Sequence, residues 1–501
     1  MLLLGIDIGT SFVKVSVVDP DTRKCLGSAR FPDKESAIIS LYPGWAEQSP
    51  GQWWEDVRQA ILTCHATGRY NPADIAAIGI SYQMHGLVMT DVKQQVIRNS
   101  IIWCDSRAVS VGDKAFREIG SERCLSRLLN SPGNFTASKL AWVKEHEPAQ
   151  YARLDKVMLP GDFISMKFTG DLTTTPSALS EGIFWDFLEN SISEDVCGLF
   201  GFDKNIFPVI KPVFSVHGYL MKMVADMLGL PPGIPVTYKA GDQLNNALAL
   251  NVLQPGEVAA TAGTSGVIYA VSGERVYDNE SRVNSFAHVN HSELQTRIGV
   301  LLCINGCGIA NRWVRDQVGA ERTYTQMNEA AALVAAGSEG LRVIPFGNGS
   351  ERMLGNRQTG AGILNLDYNI HSAGHIFRAV QEGIAFAFRY GTDILKENRI
   401  IPSVVRAGKA NMFLSDVFIE AFVNSTGIPV ELYEEDGSIG AALGAGIGAG
   451  IYHSAAEAFS NRSPIRFVEP TEKTIYNDLY ENWKETLLNA CLKPADDVNA
   501  K

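Results

Sequence analysis

The sequence predicts an α/β protein built from two related lobes, and three observations carry that expectation. Short runs rich in Val and Ile alternate with longer stretches of helical periodicity along the chain. A hairpin-like segment with a Gly-Thr-Ser turn opens the chain and recurs half a chain later, its two turns at Gly9 and Gly263 lying 254 residues apart. The 501 residues suffice for two or three domains, each with a core of its own.

Taken in order, residues 2–19 alternate around Gly9-Thr10-Ser11, the pattern of a β-hairpin. Helices are predicted near 50–64 and 137–147, with short apolar strands at 75–81 and 157–160. A further strand, 234–240, runs into Gly241-Asp242-Gln243. The opening pattern then returns over 256–272 as GEVAATAGTSGVIYAVS. A period this long describes two lobes and not a solenoid, whose repeats are far shorter. A helix is expected from Gly308, a loop over 347–362, a long helix over 373–397 and a strand near Val404 that ends at Gly408. Tyr476, Leu479, Tyr480, Trp483 and Leu487 fall at helical spacing and offer a docking face. No low-complexity linker divides the chain, so the repeat sets the boundary. That gives a first lobe over 1–248, a second over 249–490 and a loose polar tail over 491–501.

Composition narrows the partners. The net charge of −11, with no block of Lys and Arg, argues against nucleic acid or an anionic membrane surface. A nucleotide stays possible, because local amides and a metal ion hold it, not net charge. Eight scattered cysteines form no C-x-x-C pair, which reads as reduced thiols in a cytoplasmic protein. Asp7 interrupts the apolar start before a signal-peptide core forms, and the small-apolar stretch 440–452 is too short and glycine-laden to span a bilayer.

Three groups of residues can carry chemistry. Each Gly-Thr-Ser turn is either a plain hairpin or a cradle of amides and hydroxyls for phosphate, with Thr10 and Ser11 in the first and Gly263 and Thr264 in the second. Two copies, each opening one half of the chain, favour the cradle; Lys14 follows the first. Two carboxylates sit at strand ends. Asp7, between Ile6 and Ile8, either binds local amides or helps hold Mg²⁺ through water. Asp242 is either a turn residue or the carboxylate that accepts a hydroxyl proton in phosphoryl transfer. Finally, Gln83, Met84 and His85 close one strand, and Trp103, Asp105 and Arg107 follow another. Gln and His suit sugar hydroxyls and Met an adaptable wall, although Asp105 and Arg107 are also free to pair with each other.

These segments together resemble a known family. Gly5-Ile6-Asp7-Ile8-Gly9-Thr10 with Lys14 is similar to the first phosphate motif of the actin, hexokinase and Hsp70 superfamily. Gly44-Trp45-Ala46-Glu47-Gln48, Trp103-x-Asp105-x-Arg107, Ser138-Lys139-Leu140-Ala141-Trp142, Gly241-Asp242, Ala262-Gly263-Thr264-Ser265-Gly266 and Arg378-Ala379-Val380-Gln381-Glu382-Gly383 resemble, in order, the FGGY carbohydrate kinases. The resemblance implies two RNase H-like lobes with ATP and Mg²⁺ in the cleft and a sugar beneath. It makes Asp242 the proton acceptor and a metal neighbour, and Asp7 a residue that positions Mg²⁺. Thr10, Ser11 and Thr264 would hold the phosphates; Gly308, Gly408 and Asn411 would form the nucleoside site. Gln83-Met84-His85-Gly86 is similar to the version found in family members that phosphorylate D-xylulose, so Met84 and His85 would contact that ketopentose. Kinases for ribulose, gluconate or fuculose share the same nucleotide motifs. An ATP-driven switch protein and a non-catalytic sugar sensor are the readings from other classes. Homodimers are a common arrangement among such proteins.

Overall fold

The computed structural model describes residues 1–434, 436–460 and 462–490; the polar tail expected at 491–501 lies outside them. In the first half, six strands form one sheet: β1 (Leu2–Ile8), β2 (Val13–Val18), β3 (Cys25–Phe31), β4 (Ile75–Tyr82), β5 (Phe214–Tyr219) and β6 (Pro235–Gly241). Their spatial order is β5-β6-β4-β1-β2-β3. β1 pairs antiparallel with β2 and parallel with β4, which pairs parallel with β6. Apart from Asp7, every side chain of β1 is buried, so the strand reads as an unbroken apolar run. The helices needed below are α1 (Pro50–Ala66), α2 (Thr136–His146), the short α3 (Pro176–Glu181) and α4 (Asp242–Ala249). Ser49 caps α1, its hydroxyl accepting from the Gln52 amide, and Pro50 fills the first turn where no N–H is needed.

The second half repeats the plan. Its sheet contains β7 (Glu257–Ala262), β8 (Gly266–Ser272), β9 (Asn284–Ala287), β10 (Ile298–Ile304), β11 (Val404–Gly408), β12 (Val430–Tyr433) and β13 (Arg466–Val468). The order is β9-β10-β8-β7-β11-β12-β13. Again the first strand of a hairpin is central: β7 pairs antiparallel with β8 and parallel with β11, and β11 pairs parallel with β12. Around it lie α5 (Gly308–Val318), α6 (Tyr324–Ala332), α7 (Ala373–Glu397), α8 (Asp416–Thr426), α9 (Gly437–Gly448) and α10 (Lys473–Ala490). The helical face expected near the C-terminus is real: Tyr476, Tyr480, Trp483 and Leu487 of α10 are buried. No helix among the described residues is long and apolar enough to cross a membrane.

One element departs from the two-lobe division. α9 belongs to the second half of the chain but packs on the first sheet, against β1, β2, β4 and β6. The approach is close enough to exclude side chains: a Cβ on Gly5 would stand 1.8 Å from the Ser438 carbonyl oxygen, and one on Gly79 2.0 Å from that of Ala441. Ser16 and Ser438 share a hydroxyl hydrogen bond of 2.8 Å, and the Thr237 hydroxyl donates to the Ala445 carbonyl. Helix α9 thus brings its N-terminal end, with Asp436 as cap, to the strand end that carries Asp7.

Candidate active site

The first turn is closed by the Gly9 amide donating to the Phe12 carbonyl at 3.0 Å. Side chains from three other segments hold it. The Thr10 hydroxyl donates to Gln83 Oε1 at 3.1 Å and accepts from Trp103 Nε1 at 2.9 Å, while Gln48 Nε2 donates to the Thr10 carbonyl at 2.8 Å. Gln48 Oε1 in turn accepts from Gln83 Nε2 and Trp53 Nε1. Gln83, expected to meet a sugar, is 1% exposed, and each end of its amide already makes a hydrogen bond to the frame of the turn. Trp103 is 52% exposed and roofs the same turn. The Ser11 carbonyl accepts from the Ser36 amide. Lys14 stands opposite Asp7 in the hairpin register, half-exposed, its Nζ 3.8 Å from Asp436 Oδ2.

Two carboxylates meet beside that turn. Asp242 is the first residue of α4, directly after β6, and is half-buried, as is Asp7. Burial, then the neighbouring charge of Asp7, pushes the Asp242 carboxyl up to about 7. Burial also raises Asp7, with Asp436 adding to it. Asp7 Oδ2 lies 2.5 Å from where a Gly437 Cβ would stand, so it faces the amide end of α9. The described residues contain no set of three or more His, Cys, Asp or Glu suited to caging a metal. Two mutually repelling carboxylates without a cage suit a hard cation that keeps several waters and takes phosphate oxygens, as Mg²⁺ does.

Met84 and His85 follow β4. His85 has φ +61°, a left-handed backbone that turns its ring inward against Phe135 and Phe286, at 4.8 and 5.5 Å between centroids. Its Nδ1 lies 3.0 Å from the Glu181 carbonyl. A carbonyl only accepts, so Nδ1 carries the proton and Nε2 is left an acceptor. Burial, helped by the Lys139 charge, lowers the ring to about 3, so it is neutral. Lys139 is itself buried and donates to the carbonyls of His85 and Ile102. Of the two roles open to Asp105, gripping a sugar hydroxyl or pairing with Arg107, the structure shows the pair. Its carboxylate is fully buried and consumed by a forked pair with Arg107 and by the Ala46 amide. Arg107 stacks 3.7 Å over Trp45, so this is a brace beneath the site.

Sequence reasoning missed two side chains here. Arg352, from the loop expected at 347–362, places its guanidinium 6.0 Å from the Phe135 ring, and its charge reaches His85. Glu181, the last residue of α3, is 1% exposed and lies within electrostatic reach of Asp242. No local pattern distinguishes a Glu that ends a six-residue helix from a surface one. Its burial is tertiary.

The second turn borders a cavity of about 620 Å³ whose walls include Gly263, Thr264, Gly308, Asn311, Tyr324 and Asn411. Here backbone makes the frame: the Gly308 amide donates to the Gly263 carbonyl, and the Ile309 amide to that of Thr264. Asn411 has φ +53° and its amide lies 3.5 Å from a Gly263 Cβ position. Gly408, expected on this wall, instead ends β11, where its carbonyl accepts from the Ala410 amide; the segment reaches the cavity only at Asn411. Arg406 is tied to Glu257 and Glu431 and adds no free charge.

Comparison with known proteins bears on the arrangement. The model of the FGGY family of carbohydrate kinases, N-terminal domain, matches residues 2–249, and that of the C-terminal domain residues 258–449. A xylulose kinase of Bacillus subtilis is 26% identical over 98% of both chains. The crystal structure of a xylulose kinase from Brucella ovis, 25% identical, superposes with a TM-score of 0.88 over 97% of this chain and 98% of that one. A glycerol kinase from Plasmodium falciparum with ADP, 18% identical over 98% and 99% of the chains, gives a TM-score of 0.89 and speaks for the fold.

Proposed function

We propose, from the premise that the chain belongs to the FGGY family of carbohydrate kinases, that it phosphorylates the terminal hydroxyl of D-xylulose with ATP. The observation that carries the reading is Asp242. It stands at the N-terminus of a helix, beside Asp7 and the first turn, with a carboxyl tuned to about 7. A base poised there takes the proton of the attacking hydroxyl as its oxygen bonds to the γ-phosphorus and ADP leaves. The curated relatives named xylulose kinase and the Met84-His85 pair, with its neutral ring and free Nε2, favour a ketopentose.

Thr10 and Ser11 hold phosphate on one side and Thr264 on the other, and the cavity beside Gly308 and Asn411 takes the nucleoside. Asp7 and Asp242 would hold Mg²⁺, which supplies charge neutralisation to the phosphates. The seven described cysteines are all free, in keeping with the cytoplasm.

The test is ADP release from Mg²⁺-ATP against D-xylulose, ribulose, gluconate, fuculose and glycerol. A rate with D-xylulose far above the others is expected. A different preferred sugar would overturn the substrate, and sugar-independent ATP hydrolysis would overturn the kinase.

A further inference from the structure

Beneath the proposed sugar site lies a carboxyl that nothing above uses. Glu181 closes α3, and its backbone carbonyl already fixes the His85 ring. Its side chain turns the other way, under the residue that precedes Asp242. A Cβ on Gly241 would stand 2.7 Å from Glu181 Oε2 and 2.7 Å from Met84 Cγ. Only a glycine at 241 leaves room for that carboxyl between β6 and Met84.

Neither oxygen of Glu181 makes a hydrogen bond of good geometry, although both are fully buried. Among the described residues it is the one carboxyl of which that is true. The groups that face it are the Tyr82 hydroxyl and the carboxyls of Asp242 and Asp162, and Asp162 is engaged by Lys239 at 2.6 Å. Among the described residues no cation faces it. An unsatisfied buried polar group is costly to keep and calls for a ligand or a role. Other polar atoms without a hydrogen bond of good geometry lie on the neighbouring elements, at Tyr238 on β6 and Gln243 on α4. The wall over Glu181 is Met84, the most adaptable of apolar side chains.

We propose that the Glu181 carboxyl is a specificity-determining contact for the sugar, binding one hydroxyl of the ketopentose other than the one that receives phosphate, and reached when the Met84 thioether gives way. The inference rests on the D-xylulose reading. Burial raises the Glu181 carboxyl, which favours the protonated form, and a protonated carboxyl both donates and accepts, as a sugar hydroxyl does. The alternative is a structural acid bonded to Tyr82 alone, which would be indifferent to the sugar's hydroxyl pattern.

The experiment compares the full-length wild type with Glu181→Met, Glu181→Ala and Glu181→Gln, using D-xylulose and its 1-, 3- and 4-deoxy analogues. kcat and KM are measured, with thermal melts to check folding. Glu181→Met and Glu181→Ala should lose about 10- to 100-fold in kcat/KM for D-xylulose, mainly through KM, with KM for ATP unchanged. Glu181→Gln should recover most of it. One deoxy sugar, poor with the wild type, should be no poorer than D-xylulose with Glu181→Met. Equal proportional losses on all four sugars, or none, in folded variants would overturn the proposal. The wild type alone also tests it: if no deoxy sugar loses as much as tenfold, no hydroxyl is read here. A wild type that ignores D-xylulose would refute the substrate reading instead, and the same cycle then runs on deoxy forms of the preferred sugar.

Discussion

The two Gly-Thr-Ser turns occupy equivalent places in equivalent sheets, yet they are held in opposite ways. Around Thr10 the work is done by side chains: Gln48, Gln83, Trp53 and Trp103 form a relay of hydrogen bonds into one hydroxyl and one carbonyl. Around Thr264 it is done by backbone, with α5 donating two amides to the turn and the Thr264 side chain exposed. A side-chain frame fixes a group against which chemistry is aimed, and the carboxylates Asp7 and Asp242 lie on that side. A backbone frame leaves space, and the cavity of about 620 Å³ lies on the other. On the proposed reading the repeat is divided into a half that reacts and a half that holds the nucleotide.

The largest break in that contrast is removal of the base. Asp242→Asn should lower kcat by at least about 10²–10⁴-fold while sugar binding, read by calorimetry, survives. Near-normal turnover would refute the role. The same variant should gain stability at high pH. The folded carboxyl titrates near 7 and the unfolded one near 3.8, so the native state binds more protons between them. Wild-type stability is therefore lost as pH rises through that window. The melting-temperature difference between Asp242→Asn and wild type should be nil below about pH 4 and reach its plateau above about pH 7. A constant difference would deny the shift. Activity has the opposite sense: kcat/KM should fall as pH drops through about 7, because the base must be ionised in the free enzyme.

Next in size is the backbone frame. A Cβ at Gly308 would stand 2.4 Å from the Gly263 carbonyl oxygen, so Gly308→Ala must push the turn away from α5. KM for ATP should rise about 10- to 100-fold, on the scale of overpacking strain, with KM for the sugar little changed. Gln83→Leu attacks the side-chain frame and should cost about tenfold in kcat, because it removes two hydrogen bonds, one from the Thr10 hydroxyl and one to Gln48 Oε1. A change confined to the sugar KM would instead place Gln83 against the sugar. The smallest effect belongs to Lys14→Met. Its ion pair with Asp436 is long and exposed, and thermal melts should register no more than about 0.5 kcal/mol.

Much of the fold was legible because its signals are local. The hairpin at β1 and β2, its recurrence at β7 and β8, and the helix at Ala373–Glu397 all follow from periodicity and turn residues. Helix α9 was not legible: five glycines in twelve residues weaken any helical reading, and they make sense only against the sheet they touch. The candidate site divides in the same way. Asp7, Asp242 and both turns announce themselves by position at strand ends. Asp105 and Gln83 carry the right chemistry in the right segments, but Asp105 is taken up by Arg107 and the Ala46 amide, and Gln83 bonds Gln48, 35 residues away.

By itself, then, the sequence determined the duplicated α/β plan, the two turns and the pair of carboxylates, since each depends on neighbours a few residues apart. Only the tertiary structure decided which polar groups are spent on one another and which stay free to meet a ligand. It closed the first sheet with a helix from the chain's last fifth and buried Glu181, without a hydrogen bond of good geometry, beneath Gly241. The reason is physical: a polar group's availability depends on what burial takes from water and what partner it supplies in exchange, and partners arrive from anywhere along the chain.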